Sequence, residues 1–245
     1  MKNYNVTQLN PGDNFERHVY HRDMFAHYLR WTHVLNIARI GMNILDVGCG
    51  TGGLYEVFYR NRYKPTNYTG VDVRLKTIEN NKLKFKMATW LNLDIVNDLL
   101  PVNKWDIIAS FEVMEHIGKT NGPKFLTNIK KVMGSKTTLL ISTPCYDSQV
   151  GAADNHTFDA GDGQGIIPQE YTYQELRDLL ERYFKIETVF GTFASQKDYK
   201  PILNDWQNKM FNHLVTYYDS NLVSNLMAPF FPEKSRNCLW VLRLK

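Results

Sequence analysis

The sequence has only three cysteines and no long apolar run, and both shortages limit the kinds of protein it can be. Cys49, Cys145 and Cys238 are odd in number and far apart, so they form neither a disulfide framework nor the spacing of a zinc site. Cysteines that form no disulfides are typical of a reducing compartment, so we expect a cytoplasmic protein. No run of about 18 apolar residues and no N-terminal apolar segment occurs, so neither a membrane span nor a secretion signal is predicted.

The excess of one sign of charge over the other is also small. Lys and Arg number 29 against 25 Asp and Glu, a net charge of +4, while hydrophobic residues make up 43% of the chain. This composition is ordinary for a globular protein. The mild positive charge permits an anionic partner such as a nucleic acid but does not require one. At 245 residues the chain fits one α/β domain with additions.

Glycines are concentrated in one turn near the start of the chain. Residues 43–47 (N-I-L-D-V) are an apolar run that predicts a buried strand, and Gly48, Gly50, Gly52 and Gly53 follow it directly. Glycine has no Cβ, so this turn allows positive φ angles and close approach of a ligand to the backbone. Ahead of a helix, such a turn is a site for a nucleotide or a carboxylate.

Strands and helices alternate along the rest of the sequence. The predicted strands are 43–47, 68–73, a segment within 85–95, 105–112, 137–144, 184–189 and 238–244. The predicted helices are 53–61, 75–82, 123–133, 173–183 and 201–224, after a helical N-terminal segment, 15–40, that is broken near residues 20–22. The alternation predicts an α/β fold with a doubly wound, seven-stranded, mostly parallel sheet whose last strand is antiparallel.

An acidic residue ends the second predicted strand. Asp72 lies about 26 residues after Asp46, which is the place of the ribose-binding acid in dinucleotide folds. A carboxylate can accept hydrogen bonds from both hydroxyls of a ribose. The glycine turn and this acid together predict a nucleoside-containing ligand at the carboxyl ends of the strands.

Three strings resemble those of one family. D-V-G-C-G-T-G-G at 46–53 resembles motif I (E/D-x-G-x-G-x-G) of the class I, Rossmann-like S-adenosylmethionine-dependent methyltransferases. F-E-V-M-E-H-I at 111–117 and S-T-P at 142–144 are similar to strings of the members that act on small molecules, the type 11/12-like subgroup. The resemblance covers roughly residues 40–190. It implies S-adenosylmethionine as cofactor and S-adenosylhomocysteine as product.

The resemblance also implies which residues hold the cofactor. Asp94, at the end of the third strand, would accept a hydrogen bond from the adenine amine while Ile95 packs on the ring, with Asp98 as the competing acid. The full set of expected cofactor-binding residues is Asp46, Gly48, Cys49, Gly50, Gly53, Leu54, Asp72, Val73, Asp94, Ile95, Phe111, Glu112 and Arg22. In the N-terminal segment, Tyr20, His21 and Arg30 are further candidates for the cofactor carboxylate or the substrate.

The candidate catalytic residues are Glu112, His116 and His156. His116 is either a general base suited to neutral pH or a structural residue that holds its loop. His156 precedes the string Y-T-Y-Q-E-L at 171–176, where the family places a histidine of the substrate pocket. In-line methyl transfer depends on positioning more than on acid–base help when the acceptor is already nucleophilic.

The expected organisation is a helical lid, 1–40, on a methyltransferase domain, 41–245, with two insertions. The polar loop 146–170 is interpreted as a substrate gate, with a metal site as the alternative, and no resident metal is predicted. The aromatic insertion 191–236 would cover the substrate cleft or form an oligomer face.

Three functions remain open at this stage. The first is methyl transfer to an N, O or C atom of a small molecule or metabolite. The second is methylation of a nucleotide or nucleic acid, and the third is S-adenosylmethionine binding without catalysis. No membrane partner is expected.

Overall fold

The structure, a computed structural model, describes residues 22–61, 67–145, 157–159, 166–168, 170–194 and 196–245. Tyr20, His21, His156 and most of the 146–170 loop lie outside the described residues, so the predictions made for them stay predictions. Arg22 begins the first described helix, but its side chain lies outside the described part.

The described helices and strands follow the predicted alternation. The helices are α1 (Arg22–Ile37), α2 (Gly53–Arg60), α3 (Leu75–Lys84), α4 (Met114–Val132), α5 (Tyr173–Tyr183), α6 (Gln196–Tyr199), α7 (Asp205–Tyr217) and α8 (Ser220–Met227). The strands are β1 (Asn43–Val47), β2 (Asn67–Asp72), β3 (Thr89–Asn92), β4 (Ile107–Phe111), β5 (Thr138–Pro144), β6 (Thr157–Asp159), β7 (Ile166–Pro168), β8 (Phe184–Ala194) and β9 (Ser235–Leu244).

Seven of these strands form one sheet in the order β3-β2-β1-β4-β5-β9-β8. Strands β1 to β5 pair in parallel, and β9 is antiparallel to both β5 and β8. The central strands β1 and β4 are buried along almost their whole length, as expected where helices cover both faces of a parallel sheet. The predicted doubly wound sheet with an antiparallel last strand is confirmed, and the carboxyl ends of β1 to β5 share one edge.

Each face of the sheet carries its own apolar core. One core joins α4 and α5 to the sheet around Phe125 and Trp240, and the other joins α1, α2 and α3 to it around Phe58 and Trp90. Both tryptophans are almost fully buried. Side chains of this size contribute strongly, because burial stabilises by roughly 25 cal/mol per Å² of apolar surface. The core around Phe58 and Trp90 packs α1 against the sheet, beside the edge where the site lies.

The predicted start of the fourth helix was wrong. The helical segment α4 begins at Met114 rather than at Pro123, and it is interrupted at Gly118, whose φ of 73° and ψ of 165° are not helical. Pro123 has no N–H to donate to the carbonyl of Lys119 four residues earlier. The Tyr171 hydroxyl donates to that carbonyl instead, at 2.9 Å, so the proline is accommodated inside the helix.

The single helix predicted for 201–224 was also wrong, because two caps divide this segment. The Asn204 side chain accepts from the Gln207 N–H in a capping box that begins α7, and the Asp219 side chain accepts from the Asn221 N–H to begin α8. The helices of this insertion pack around their own small core, in which Tyr199 stacks on Phe231.

Candidate active site

A cavity of about 180 Å³ opens at the carboxyl edge of the sheet, between the glycine turn, helix α1 and the end of β4. Its lining residues are His27, Trp31, Asp46, Gly48, Cys49, Gly50, Thr51, Gly53, Leu54, Arg74, Phe111 and Glu112. Eight of the predicted cofactor-binding residues meet here. Four lining residues were missed: His27 and Trp31 lie in the segment expected to form a lid, Thr51 lies inside the predicted glycine turn, and nothing in the sequence distinguished Arg74.

The glycine turn has the conformation that its sequence predicts. Gly48, Gly50 and Gly52 have φ angles of 77°, 51° and 82°, a region that side chains with a Cβ rarely adopt. A Cβ at Gly48 would clash with Val113, and one at Gly53 would lie 2.6 Å from the ring of Trp31. The turn must therefore be glycine both for its backbone and for its packing against α1.

The Asp72 carboxylate ties this turn to the end of β2. It accepts from the Gly50 N–H at 3.0 Å and from the Arg74 N–H at 2.9 Å, and it pairs with the Arg74 guanidinium. The Asp72 side chain is 7% exposed and that of Arg74 is 63% exposed. An ion pair to so exposed an arginine is worth little, so a ligand hydroxyl can replace the guanidinium at small cost.

Asp46 is buried beneath the turn, where its carboxylate accepts from the Tyr68 hydroxyl. Burial raises the pKa of Asp46 to about 7; the Tyr68 hydrogen bond works against this shift and the charge of Asp72 adds to it. Burial also raises the pKa of the neighbouring Cys49 thiol, which is therefore a neutral packing residue. Asp46 can change its charge near neutral pH beside whatever occupies the cavity.

Among the described side chains, four predicted cofactor residues are not among those that line this cavity: Asp72, which contacts the turn through the Gly50 N–H, and Val73, Asp94 and Ile95. Val73 is largely exposed just after β2, and Ile95 is buried in the core on the α4 side. The Asp94 carboxylate accepts from the Asn97 side chain at 2.7 Å and from the Val96 N–H at 2.9 Å, and these bonds lower its pKa. Asp98 accepts from the Asp94 N–H at 2.8 Å, so the two competing acids stabilise the same turn beyond β3.

Glu112 stands at the end of β4 in a strained conformation, with φ at 55°. Its Oε1 accepts from Arg30 at 3.1 Å and from the Ser142 hydroxyl at 2.9 Å, and its Oε2 accepts from the Asn237 amide at 2.9 Å. Burial works to raise the pKa of Glu112, but the charge of Arg30 and these hydrogen bonds outweigh it and the pKa lies below its ordinary value. Arg30, only 1% exposed, joins α1 to this carboxylate.

His116 lies in the first turn of α4, outside the cavity lining, with its side chain 64% exposed. Its Nε2 is 3.9 Å from the Glu115 carboxylate, which is buried and accepts from the Thr143 hydroxyl at 2.9 Å. Burial, together with the charge of Glu112, raises the pKa of Glu115 well above its ordinary value. Burial thus favours the protonated form of the carboxyl group beside His116.

Comparison with known proteins identifies the family, the fold and the cofactor of this protein. The sequence profile of the family described as "Methyltransferase domain" matches residues 20–187. The chain is 30% identical over 106 residues to a ubiquinone biosynthesis O-methyltransferase of Rhodopseudomonas palustris, which covers 42% of this chain and 40% of that one. It is 24% identical over 200 residues to phosphoethanolamine N-methyltransferase 1 of Arabidopsis thaliana, covering 69% and 39%. The chain thus spans about two fifths of the length of these relatives.

A solved structure has the same fold. The TehB-like S-adenosylmethionine-dependent methyltransferase of Corynebacterium glutamicum superposes with a TM-score of 0.55 over 96% of this chain and 100% of that one, at 18% identity. Among the described residues, no helix is long and apolar enough to cross a membrane. The same residues contain no group of three His, Cys, Asp or Glu side chains placed to hold a metal ion.

Proposed function

Because this chain belongs to the methyltransferase domain family and is an S-adenosylmethionine-dependent enzyme, we propose that it methylates an oxygen or nitrogen atom of a small molecule. The relatives that carry this proposal are named for O-methylation and for N-methylation of small compounds. Transfer to carbon belongs to the same proposal, since in-line displacement needs only a positioned nucleophile.

The residues at the carboxyl edge fit the cofactor. Gly48, Gly50 and Gly53 expose the backbone of the turn to the cavity. Asp72 already accepts an N–H from that turn and a guanidinium that ligand hydroxyls can replace. This arrangement of acid and glycine turn is the single observation that best supports the proposal. When bound, S-adenosylmethionine supplies a methyl group on a positively charged sulfur.

We assign the residues along the cavity by the order of the strands. The ribose hydroxyls belong at Asp72, the adenine toward β3 with Val73, Asp94 and Ile95, and the amino-acid end toward Glu112 at β4. Phe111, Leu54 and Cys49 supply apolar surface, and Arg22 remains our candidate for the cofactor carboxylate. These assignments are proposals that binding measurements on single variants can test.

The lid and the acceptor side are proposed from the N-terminal helix and from α4. His27 and Trp31 of α1 line the cavity, which supports residues 1–40 as a lid over the cofactor. His116 lies outside the cavity lining in the first turn of α4 and is exposed, so we assign it the role of taking a proton from an acceptor hydroxyl or ammonium and passing it to solvent. His156 and the 146–170 loop complete the proposed acceptor side, and the 191–236 insertion borders it or forms an oligomer face.

The test is S-adenosylhomocysteine release across a panel of phenols, carboxylic acids, amines, nucleotides, DNA and RNA. We expect cofactor-dependent release with at least one class of small molecule. Release only with nucleic acid, falling steeply with salt, would overturn the proposed acceptor. Cofactor binding with no release across the whole panel would instead favour a binding protein without catalysis.

A further inference from the structure

Asn237, on strand β9, is the centre of a buried polar network that reaches the cavity. Its side-chain N–H donates to Glu112 Oε2 at 2.9 Å. Its side-chain oxygen accepts from Arg30 Nη1 at 3.0 Å and from the Thr192 hydroxyl at 2.9 Å. One amide therefore joins α1, the end of β4 and the edge strand β8 at a single point.

The partners fix which way this amide points. Arginine can only donate, so the side that faces Arg30 must be the amide oxygen. The Glu112 carboxylate has a lowered pKa and accepts only, so the side that faces it must be the amide nitrogen. Neither an aspartate nor a leucine of similar size could satisfy both neighbours.

This network holds Glu112 in a conformation that the chain would not adopt alone. Its φ of 55° is the only positive φ of a non-glycine residue in the described part of the chain. A strained backbone conformation persists only where several contacts hold the residue in place. Here three hydrogen bonds, from α1, β5 and β9, hold the Glu112 side chain. The carboxylate is thereby fixed at the rim of the cavity that it lines.

A carboxylate offers about four acceptor positions. Two on Oε1 are taken by Arg30 and Ser142, and one on Oε2 is taken by Asn237. The fourth acceptor position, on Oε2, is left for a ligand in the cavity, because Glu112 lines that cavity. A ligand whose ribose is held at Asp72, across β1 from Glu112, would bring its opposite end to this position.

We propose that Asn237 is a positioning residue, which orients Glu112 so that Oε2 receives the ammonium group of the cofactor's amino-acid end. The proposal rests on the proposed function, because it requires S-adenosylmethionine in this cavity. Through Thr192, whose carbonyl accepts from Asn225 of α8, the same network ties the helical insertion to the cofactor site. Hydrogen bonds therefore connect the helical insertion to Glu112 through β8 and β9.

The test compares two ligands that differ at that end. S-adenosylhomocysteine carries the amino acid, and 5′-methylthioadenosine has the same adenosine and sulfur without it. We expect Asn237→Ala to weaken S-adenosylhomocysteine binding about tenfold in calorimetry and to leave 5′-methylthioadenosine within about twofold. Glu112→Gln, which keeps the shape and removes the charge, should change the ratio of the two affinities in the same direction.

Asp72→Ala is the matched control, because loss of the ribose contact should weaken both ligands by the same factor. An Asn237→Ala variant that loses both ligands equally, or neither, would overturn the positioning role. Retained 5′-methylthioadenosine binding in the variant shows that its fold is intact. If the wild-type protein bound neither ligand, the proposed function would fail instead, so the two failures are distinguishable.

Discussion

The buried carboxyl group of Asp46 makes a quantitative prediction about cofactor binding and pH. Its pKa is raised from 3.8 to about 7, mainly because burial disfavours the charged form. A shift of about three units corresponds to about 4 kcal/mol that the folded protein without ligand loses when this group is ionised. A cation placed in the cavity would lower the pKa again and recover part of that free energy.

The sign of the effect follows from proton linkage. Below about pH 7 the free protein holds a proton on Asp46, and a positively charged ligand must release it to gain the favourable interaction. If Asp46 is always ionised in the complex, the affinity for S-adenosylmethionine is proportional to the fraction of free protein in which Asp46 is ionised. The affinity should then fall about fifteenfold from pH 7.0 to 5.5. This window lies below the titration of the ligand's own α-amino group, at about 7.7–8.0.

The assay is calorimetric titration at pH 5.5, 6.0, 6.5 and 7.0 with three ligands that carry two, one and no positively charged groups. S-adenosylmethionine should show the steepest pH dependence, S-adenosylhomocysteine a weaker one and 5′-methylthioadenosine none. Asp46→Asn should abolish the dependence that Asp46 causes. His27 also lines the cavity and imidazoles titrate in this range, so His27→Gln is needed as a second variant.

A stability measurement on the free protein gives an independent check. Because the folded pKa is raised, the stability associated with protonated Asp46 is present at low pH and is lost as pH rises through about 7. Asp46→Asn should therefore gain stability relative to wild type between pH 5 and 8, by up to about 4 kcal/mol. The reasoning would be refuted if Asp46→Asn and the wild type showed the same pH dependence of the free energy of unfolding and the same pH dependence of ligand affinity.

Three further predictions address other parts of the site. Asp72→Ala should weaken S-adenosylmethionine binding by about 1–3 kcal/mol in calorimetry, because the ribose hydroxyls lose their acceptor, whereas Asp98→Ala should not; an unchanged affinity in Asp72→Ala would contradict the assignment. His116→Ala should lower turnover and leave cofactor affinity intact, and unchanged turnover would return His116 to a structural role. Gly48→Ala should lower the melting temperature and abolish cofactor binding, since φ is 77° and Val113 occupies the Cβ position. Gly134→Ala, where a Cβ meets nothing closer than 3.7 Å, should be mild, and equal effects of the two substitutions would argue against steric exclusion at the turn.

The sequence predicted the sheet well because its strands are local signals. Strand β1 was predicted as residues 43–47 and is Asn43–Val47, and helix α5 was predicted as 173–183 and is Tyr173–Tyr183. Both have sharp ends: a glycine turn after the strand and a Thr172–Glu175 capping box before the helix. Boundaries failed where tertiary contacts overrule local preference, as at Pro123, whose missing hydrogen bond is replaced by the distant Tyr171 hydroxyl.

Many residues of the site were predictable from the sequence, including Glu112 and the candidate Arg30, but the contacts between distant residues were not. Asp72 and the glycine turn follow from spacing along adjacent β–α units, which the sequence displays directly. The Glu112 network joins residues that are 82 and 125 positions away, Arg30 and Asn237, and no short pattern connects them. The Asn237 amide reaches its partners only because β9 lies between β5 and β8 in the sheet, and this strand order cannot be read from a local sequence pattern.

The two acids of the cavity are suited to different charges on one ligand. Glu112 keeps its charge, because Arg30 and the hydrogen bonds from Ser142 and Asn237 hold its pKa below the ordinary value, so it suits an ammonium group whose charge does not change during the reaction. Asp46, with a pKa of about 7, can exist in either form at neutral pH and suits a charge that is lost during the reaction. Methyl transfer converts a sulfonium into a neutral thioether, so Asp46 should take up a proton as the product forms. The acceptor hydroxyl or ammonium releases one proton in the same step, so uptake by Asp46 should reduce the proton release measured in a single turnover at pH 7. The release should return to one proton per methyl group in Asp46→Asn and stay reduced in Glu112→Gln, and equal release in all three proteins would contradict the two roles.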